Sequence, residues 1–192
     1  MTDSANQVRG GKRERLVASA RDLLHRQGVQ RTTLAEVAEA ADVPPGNVYY
    51  YFKTKDDLVQ AVVDGHVDEL RAMFASFERQ HRSPRARLKA FLRSMAQTSE
   101  VAARHGCPIG SLCQELDKHE DGLDRAGATA MAVFVDWAEA QFRLMGHEDA
   151  HDLAVTLIAG YQGAALLTNT FRDPELMARQ ARRLERWIDT LS

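Results

Sequence analysis

Four residues capable of polar contact crowd one short stretch of the chain: Asn47, Tyr49, Tyr50 and, just beyond, Lys55. Asparagine can pair with an adenine edge, tyrosine hydroxyls hydrogen-bond phosphate oxygens, and a lysine at a helix start makes a phosphate site. Gly46, directly ahead of them, lets a backbone approach a partner closely. This is the chemistry of holding a nucleic acid, not of breaking bonds. The competing reading is a helical hairpin with an aromatic core, because Tyr49, Tyr50, Tyr51 and Phe52 are consecutive. Elsewhere the reactive side chains are less organised. Cys107 and Cys113 are too few for a disulfide framework, which suits a reducing, cytoplasmic compartment. A helix N-terminal placement would favour the Cys107 thiolate; a small buried hydrophobe is the plainer alternative. Cys113, six residues on, would point about 120° away on a helix, against a disulfide between them. His147 and His151 stand four apart among Glu148, Asp149 and Asp152, a spacing that suits a divalent metal. Yet these residues open a helix, where acids favour the dipole, so they read as a solvated cap and no metal is expected. His66, His81 and His119 have no recognisable partners. Without a nucleophile–base pair, phosphate loop or cofactor motif, neither enzymatic activity nor a cofactor is expected.

Helices must position these groups, because apolar residues recur with a 3.6 period and no strand series appears. Lys12 to Gln27 places Leu16, Ala20, Leu23 and Leu24 on one face, and Gly28 ends it. Thr33 with Glu36 three residues later forms a capping box for a second helix, whose Leu34, Val37 and Ala38 face inward. Ala41-Asp42-Val43 is a tight turn in which Asp42 tolerates left-handed backbone. Pro44-Pro45-Gly46 opens a short third helix, returned to the core by Val48. Two short helices joined by such a turn form a helix-turn-helix. A fourth helix runs from Thr54 to about His81, and a fifth from Ser83 to about His105. Gly106 to Gly110 is a break, followed by a short helix over 111–118 and longer ones over 121–145, 149–168 and 174–191. The expected fold is all-α, with nine or ten helices.

Net charge is −2, but it is unevenly spread. Residues 1–55 hold nine basic and six acidic groups, while the remainder holds sixteen basic and twenty-one acidic groups. A basic head on an acidic body suits contact with phosphate at one end. No apolar run is long enough to span a bilayer, and residues 1–11 read as a flexible arm without the apolar core of a secretory signal. No membrane partner is expected.

The run from Thr32 to Val43, followed by Gly46 to Leu58, closely resembles the N-terminal domain of TetR-family regulators over residues 12 to about 63. Asp42 departs from it where the family usually has Gly, and Tyr51 where it often has His. The resemblance implies a helix-turn-helix domain over 12–58 and a ligand-binding and dimerisation domain over 59–192. Thr33 would contact phosphate; Pro45, Gly46, Asn47 and Tyr50 would lie in or beside the major groove; Tyr49 and Lys55 would clamp backbone phosphates. The implied protein is a homodimeric repressor, released from a double-stranded, pseudo-palindromic DNA operator by a small-molecule inducer. Its two recognition helices would stand about 34 Å or more apart.

Beyond residue 64 the sequence is less specific. Met73, Phe74, Phe77, Phe91, Met95, Phe134, Trp137 and Met145 are large apolar side chains on successive helices. Each alone reads as core; together they allow a cavity between helices. The family resemblance implies such a cavity, with Cys107 at its rim, and an apolar or aromatic inducer is then expected. Leu157, Ile158, Tyr161, Ala164, Ala165 and Leu167, with Gly160 and Gly163, form one apolar surface; Leu176, Ala181, Leu184, Trp187, Ile188 and Leu191 form another. A two-fold four-helix interface would cover both. Two alternatives remain beside the ligand-released repressor: a thiol-based electrophile or redox sensor acting through Cys107, and a helical enzyme or interaction protein without DNA binding.

Overall fold

The computed structural model describes residues 11–118 and 122–191. Among them are ten helices and no strand: α1 (Lys12–Gln27), α2 (Leu34–Ala40), α3 (Pro45–Tyr51), α4 (Lys55–Gln80), α5 (Pro84–Gln97), α6 (Ser99–His105), α7 (Pro108–Leu116), α8 (Leu123–Leu144), α9 (Ala150–Phe171) and α10 (Pro174–Thr190). The expected N-terminal arm, apart from Gly11, lies outside the described residues. Among the described residues, no helix is long and apolar enough to cross a membrane.

The first three helices and the start of α4 share one small core, in which Leu16, Ala20, Val37, Ala38, Val48 and Phe52 are essentially inaccessible. Local chemistry explains the entry to α2. Thr33 Oγ1 accepts from the Glu36 N–H at 3.2 Å, and the Glu36 carboxylate accepts from the Thr33 N–H at 2.8 Å. Two of the helix's orphan donors are thereby satisfied. Asp42 takes the left-handed conformation expected of it (φ 51°), and the Val43 N–H donates to the Ala38 carbonyl at 2.9 Å. Ala38 is small because α2 must pack closely at this corner. α4 then carries the chain out of the head: Leu58, Val59 and Val62 are buried near its start, and His66, Leu70 and Phe74 farther along.

The body packs α8 against α9, with α10 laid over α5 and α9. Its centre is aromatic, since Phe91, Phe134 and Phe142 are almost wholly buried. Burying such a ring stabilises the fold by roughly 2–3 kcal/mol. Two boundaries differ from expectation. The helix anticipated from Ser83 to His105 is divided at Thr98, whose hydroxyl donates to the Met95 carbonyl at 3.0 Å. The helix anticipated from Ser111 instead starts at Pro108, with Cys107 as its N-cap. Proline at the first helical position loses no backbone bond, so the Gly-Cys-Pro run starts a helix as well as ending one.

Candidate nucleic-acid interface and cavity

α3 is too short to be stable alone and is held by Val48 and the flanking Phe52, both buried. That anchoring turns Pro45, Gly46, Tyr49 and Tyr50 outward on a single exposed face. Tyr50 is 76% accessible and Tyr49 57%, unusual for large aromatic residues without a partner. The competing reading, an aromatic core cluster, therefore fails for these two. Tyr51 is half-buried, edge-on to Tyr50 with ring centres 5.0 Å apart. Asn47 is half-buried at the rim of the face. Thr33 is exposed at the start of α2, and the Glu36 carboxyl is held below the usual range chiefly by the Thr33 backbone N–H. Lys53 follows α3 and Lys55 opens α4. Lys53 Nζ donates to the Tyr49 carbonyl at 3.0 Å and Lys55 Nζ to the Gln30 carbonyl at 3.3 Å. Arg13 lies over the Phe52 ring at 5.3 Å, a further cation on this head.

A cavity of about 360 Å³ lies between α1, α4, the α5–α6 break, α7, α8, α9 and α10. Of the residues expected to line it, Met73, Met95, Phe134 and Cys107 do. Phe74, Phe77, Phe91 and Trp137 do not. Phe74 stacks on Trp137 with ring centres 4.2 Å apart and planes 5° from parallel. Phe91 meets Phe74, Phe134 and Trp137 at 6.0 Å each, and Phe77 meets Trp137 at 6.2 Å. These rings close on one another, because mutual edge and face contacts bury them better than a lined void would. Met145 packs on the same core and is likewise outside the cavity. Sequence reasoning missed His66 and Tyr161 as lining groups. His66 is 7% accessible, and burial, aided by the Arg21 charge, pushes its imidazole down to about 4. Tyr161 is held well above the usual phenol range, again chiefly by burial.

Cys107 is buried in the cavity wall and accepts from the Gly110 N–H at 3.4 Å and the Tyr161 hydroxyl at 3.2 Å. Its thiol is thus the N-cap of α7. Cys113 stays half-buried, with burial pushing its thiol up to about 11, and both cysteines are free. His147 and His151 have separate partners. His151 Nδ1 lies 2.8 Å from Glu139 Oε2, a hydrogen bond that raises the imidazole and lowers the carboxyl. His147 packs edge-on to Phe142.

The residues expected to meet a second chain are mostly spent within this one. Leu157, Tyr161, Ala164 and Ile188 are buried in the protomer itself. Trp187 packs edge-on to Phe142 at 6.0 Å, and Leu184 lies so close to Gly160 that a Cβ there would stand 3.1 Å from Leu184 Cδ2. Close α9–α10 packing inside the chain explains that glycine. The exposed side of α9 is the next face round: Val155, Ala159, Leu166, Leu167 and Phe171. Gly163 opens onto the same side, with nothing within 4 Å of the place a Cβ would take.

Three ties join head and body near the cavity. His25 Nε2 lies 3.0 Å from the Gly106 carbonyl, Arg21 pairs with Glu69, and Glu115 Oε2 accepts from the Val29 N–H at 2.6 Å. The cavity wall and the head therefore share α1 and α4, and α7 of the wall is tied to the end of α1.

Comparison with known proteins bears on both parts. Residues 16–62 match the family model for bacterial regulatory proteins of the tetR family. Residues 84–183 match the C-terminal domain of LmrA/YxaF-like transcriptional regulators. An uncharacterised HTH-type transcriptional regulator of Mycobacterium tuberculosis (strain H37Rv) is 30% identical over 185 residues, covering 91% of this chain and 94% of its own. The transcriptional regulator AcuR of Cereibacter sphaeroides is 30% identical over 166 residues, covering 79% and 73%. A TetR transcriptional regulator from Legionella pneumophila has the same fold, with a TM-score of 0.82 at 18% identity over 94% of this chain and 96% of that one.

Proposed function

The chain belongs to the TetR family of DNA-binding transcriptional regulators, not of enzymes, and from that premise we propose that it is a repressor released from its operator by a small molecule. The observation that carries the DNA reading is the outward face of α3, where Tyr49 and Tyr50 are exposed beside Gly46 and two lysines. Residues 12–58 form the head that enters the major groove. Pro45, Gly46, Asn47 and Tyr50 lie at the bases, and Thr33, Tyr49 and Lys55 take phosphates. Residues 59–192 bind the inducer and form the dimer. The interface is the exposed face of α9 around Val155, Gly163 and Leu166, and its two-fold axis makes the operator pseudo-palindromic. The protein acts in the cytoplasm.

Release follows from shared elements. A ligand in the cavity touches helices that also hold the head, so it can favour a spacing of the two heads that misses successive major grooves. It lowers DNA affinity only by as much as it prefers that state. Gel-shift titration against DNA flanking the protein's own gene, at two salt concentrations, tests this. Specific binding that weakens with salt and in Tyr49→Ala and Lys55→Ala supports it. Unchanged binding by both variants would overturn the residue assignments.

A second reading, a thiol sensor, is favoured by one feature: Cys107 lines the cavity and its thiol accepts three hydrogen bonds, from Gly110, Tyr161 and Gln162. Release from DNA by N-ethylmaleimide in the wild type but not in Cys107→Ser would favour it. Equal response would remove it.

A further inference from the structure

The cavity has one polar feature that no other group among the described residues uses. His66 is more than nine-tenths buried and lines the void, yet neither ring nitrogen has a hydrogen-bond partner among the described residues. A neutral imidazole presents one donor and one acceptor, and in His66 both are left free for a molecule in the cavity. The buried Tyr161 hydroxyl is already engaged, since it donates to Cys107 Sγ at 3.2 Å. Most of the remaining wall is apolar: Leu70, Met73, Met95, Ile109, Phe134 and Met177.

Charge at the cavity narrows the ligand further. Arg21 of α1 is paired with Glu69 of α4 at the mouth, so its guanidinium is spent, and Asp22 adds a negative charge beside it. Beyond these three, no lysine, arginine or carboxylate among the described residues lines the cavity to receive a charged ligand. A buried charge without a partner is expelled. At about 360 Å³ the space is at the small end of ligand cavities.

We propose that the cavity binds a small, uncharged and mainly apolar molecule through a single hydroxyl or carbonyl group hydrogen-bonded to His66. This assignment rests on the ligand-released reading above and deepens it by naming the anchor and the chemical class. His66 lies on α4, the helix that leads into the head, so the anchor is placed on an element that DNA binding also uses.

Calorimetric titration of the full chain with three matched probes tests it: 2-naphthol, naphthalene and 2-naphthoate. The expected result is binding of 2-naphthol about tenfold tighter than naphthalene, the difference left by one unmade hydrogen bond, and weaker still for 2-naphthoate. In His66→Leu the preference for 2-naphthol over naphthalene disappears, and in His66→Gln, which keeps a donor and an acceptor, part of it returns. Tighter binding of 2-naphthoate, a preference that survives in His66→Leu, or no binding by any probe each overturns the assignment. Should His66→Leu not fold, the wild-type ranking alone decides. Gel shifts on the same preparation separate the two readings. Specific DNA binding without the probe ranking sinks only the ligand assignment, whereas loss of specific DNA binding sinks the regulator reading on which it rests.

Discussion

His66 has a second consequence at the scale of the residue. Its folded imidazole titrates at about 4, against 6.5 for the free group, and the cause is burial, with Arg21 and His25 of α1 lowering it further and Glu69 opposing them. The unfolded chain therefore binds the extra proton first as pH falls. Stability is full above about pH 6.5 and declines toward pH 4, with a total of about 3 kcal/mol at stake for this one group. Denaturant midpoints measured at pH 7.5 and pH 5 should fall in the wild type and fall less in His66→Gln. An equal fall in both would show that the site is open to water. Thr33 supports a second prediction. Replacing it by alanine removes the N-cap of α2 and should cost about 1 kcal/mol in thermal unfolding. The same substitution should weaken DNA binding if its hydroxyl also meets phosphate. Serine, which keeps the cap, should restore most of the stability.

At the scale of the element, the turn between α2 and α3 and the tie between α7 and the head are the informative places. Asp42 holds φ 51°, which aspartate tolerates less well than glycine, and its ion pair with Arg15 is exposed and 4.0 Å long. Asp42→Gly should therefore stabilise the head by up to about 1 kcal/mol, because the strain removed exceeds what an exposed pair contributes. A lower melting temperature would mean that the side chain does something the backbone does not reveal. Glu115 reaches from α7 to the Val29 N–H at 2.6 Å, beside Gly28 at the end of α1. Glu115→Ala leaves that part-buried donor without its partner and should cost about 1–3 kcal/mol. Hydrogen exchange should then quicken at Val29 and the end of α1 more than in α8 or α9. Uniform quickening would show that α7 steadies the whole chain and not the head.

For the whole molecule, the quantity at issue is association. The exposed side of α9 offers Val155, Leu166, Leu167 and Phe171 to solvent, four large apolar side chains on one helix. A charge in the middle of that face cannot be buried unpaired against its own symmetry copy. Leu166→Arg should therefore convert a dimer to a monomer in sedimentation experiments, and specific DNA binding should be lost along with it, since both half-sites must be held together. A dimer that survives this change would move the interface elsewhere.

What the sequence determined by itself was local. Turn chemistry, caps and periodicity are properties of neighbouring residues, so the Thr33–Glu36 box, the left-handed Asp42, the opening at Pro45 and the exposed α3 face were legible without coordinates. The density of those signals within residues 32–58 is why the head could be read there in detail. The break at Thr98 was not legible, because Gln97-Thr98-Ser99 contains neither proline nor glycine; α6 turns there to pack on α9 and α10. Nor could spacing tell a ring that lines a void from one that fills a core. Phe74 and Phe134 are both buried aromatics on core faces, yet Phe134 borders the cavity and Phe74 stacks on Trp137. The residues assigned to a dimer went the same way: Leu157, Tyr161 and Ile188 are apolar because α9 and α10 bury them within the chain. Which apolar face meets its own chain, which meets a partner and which is left facing a cavity depends on how distant helices are rotated against one another. Only the tertiary structure decides that, because it is settled by packing between segments rather than by the preferences of any one of them.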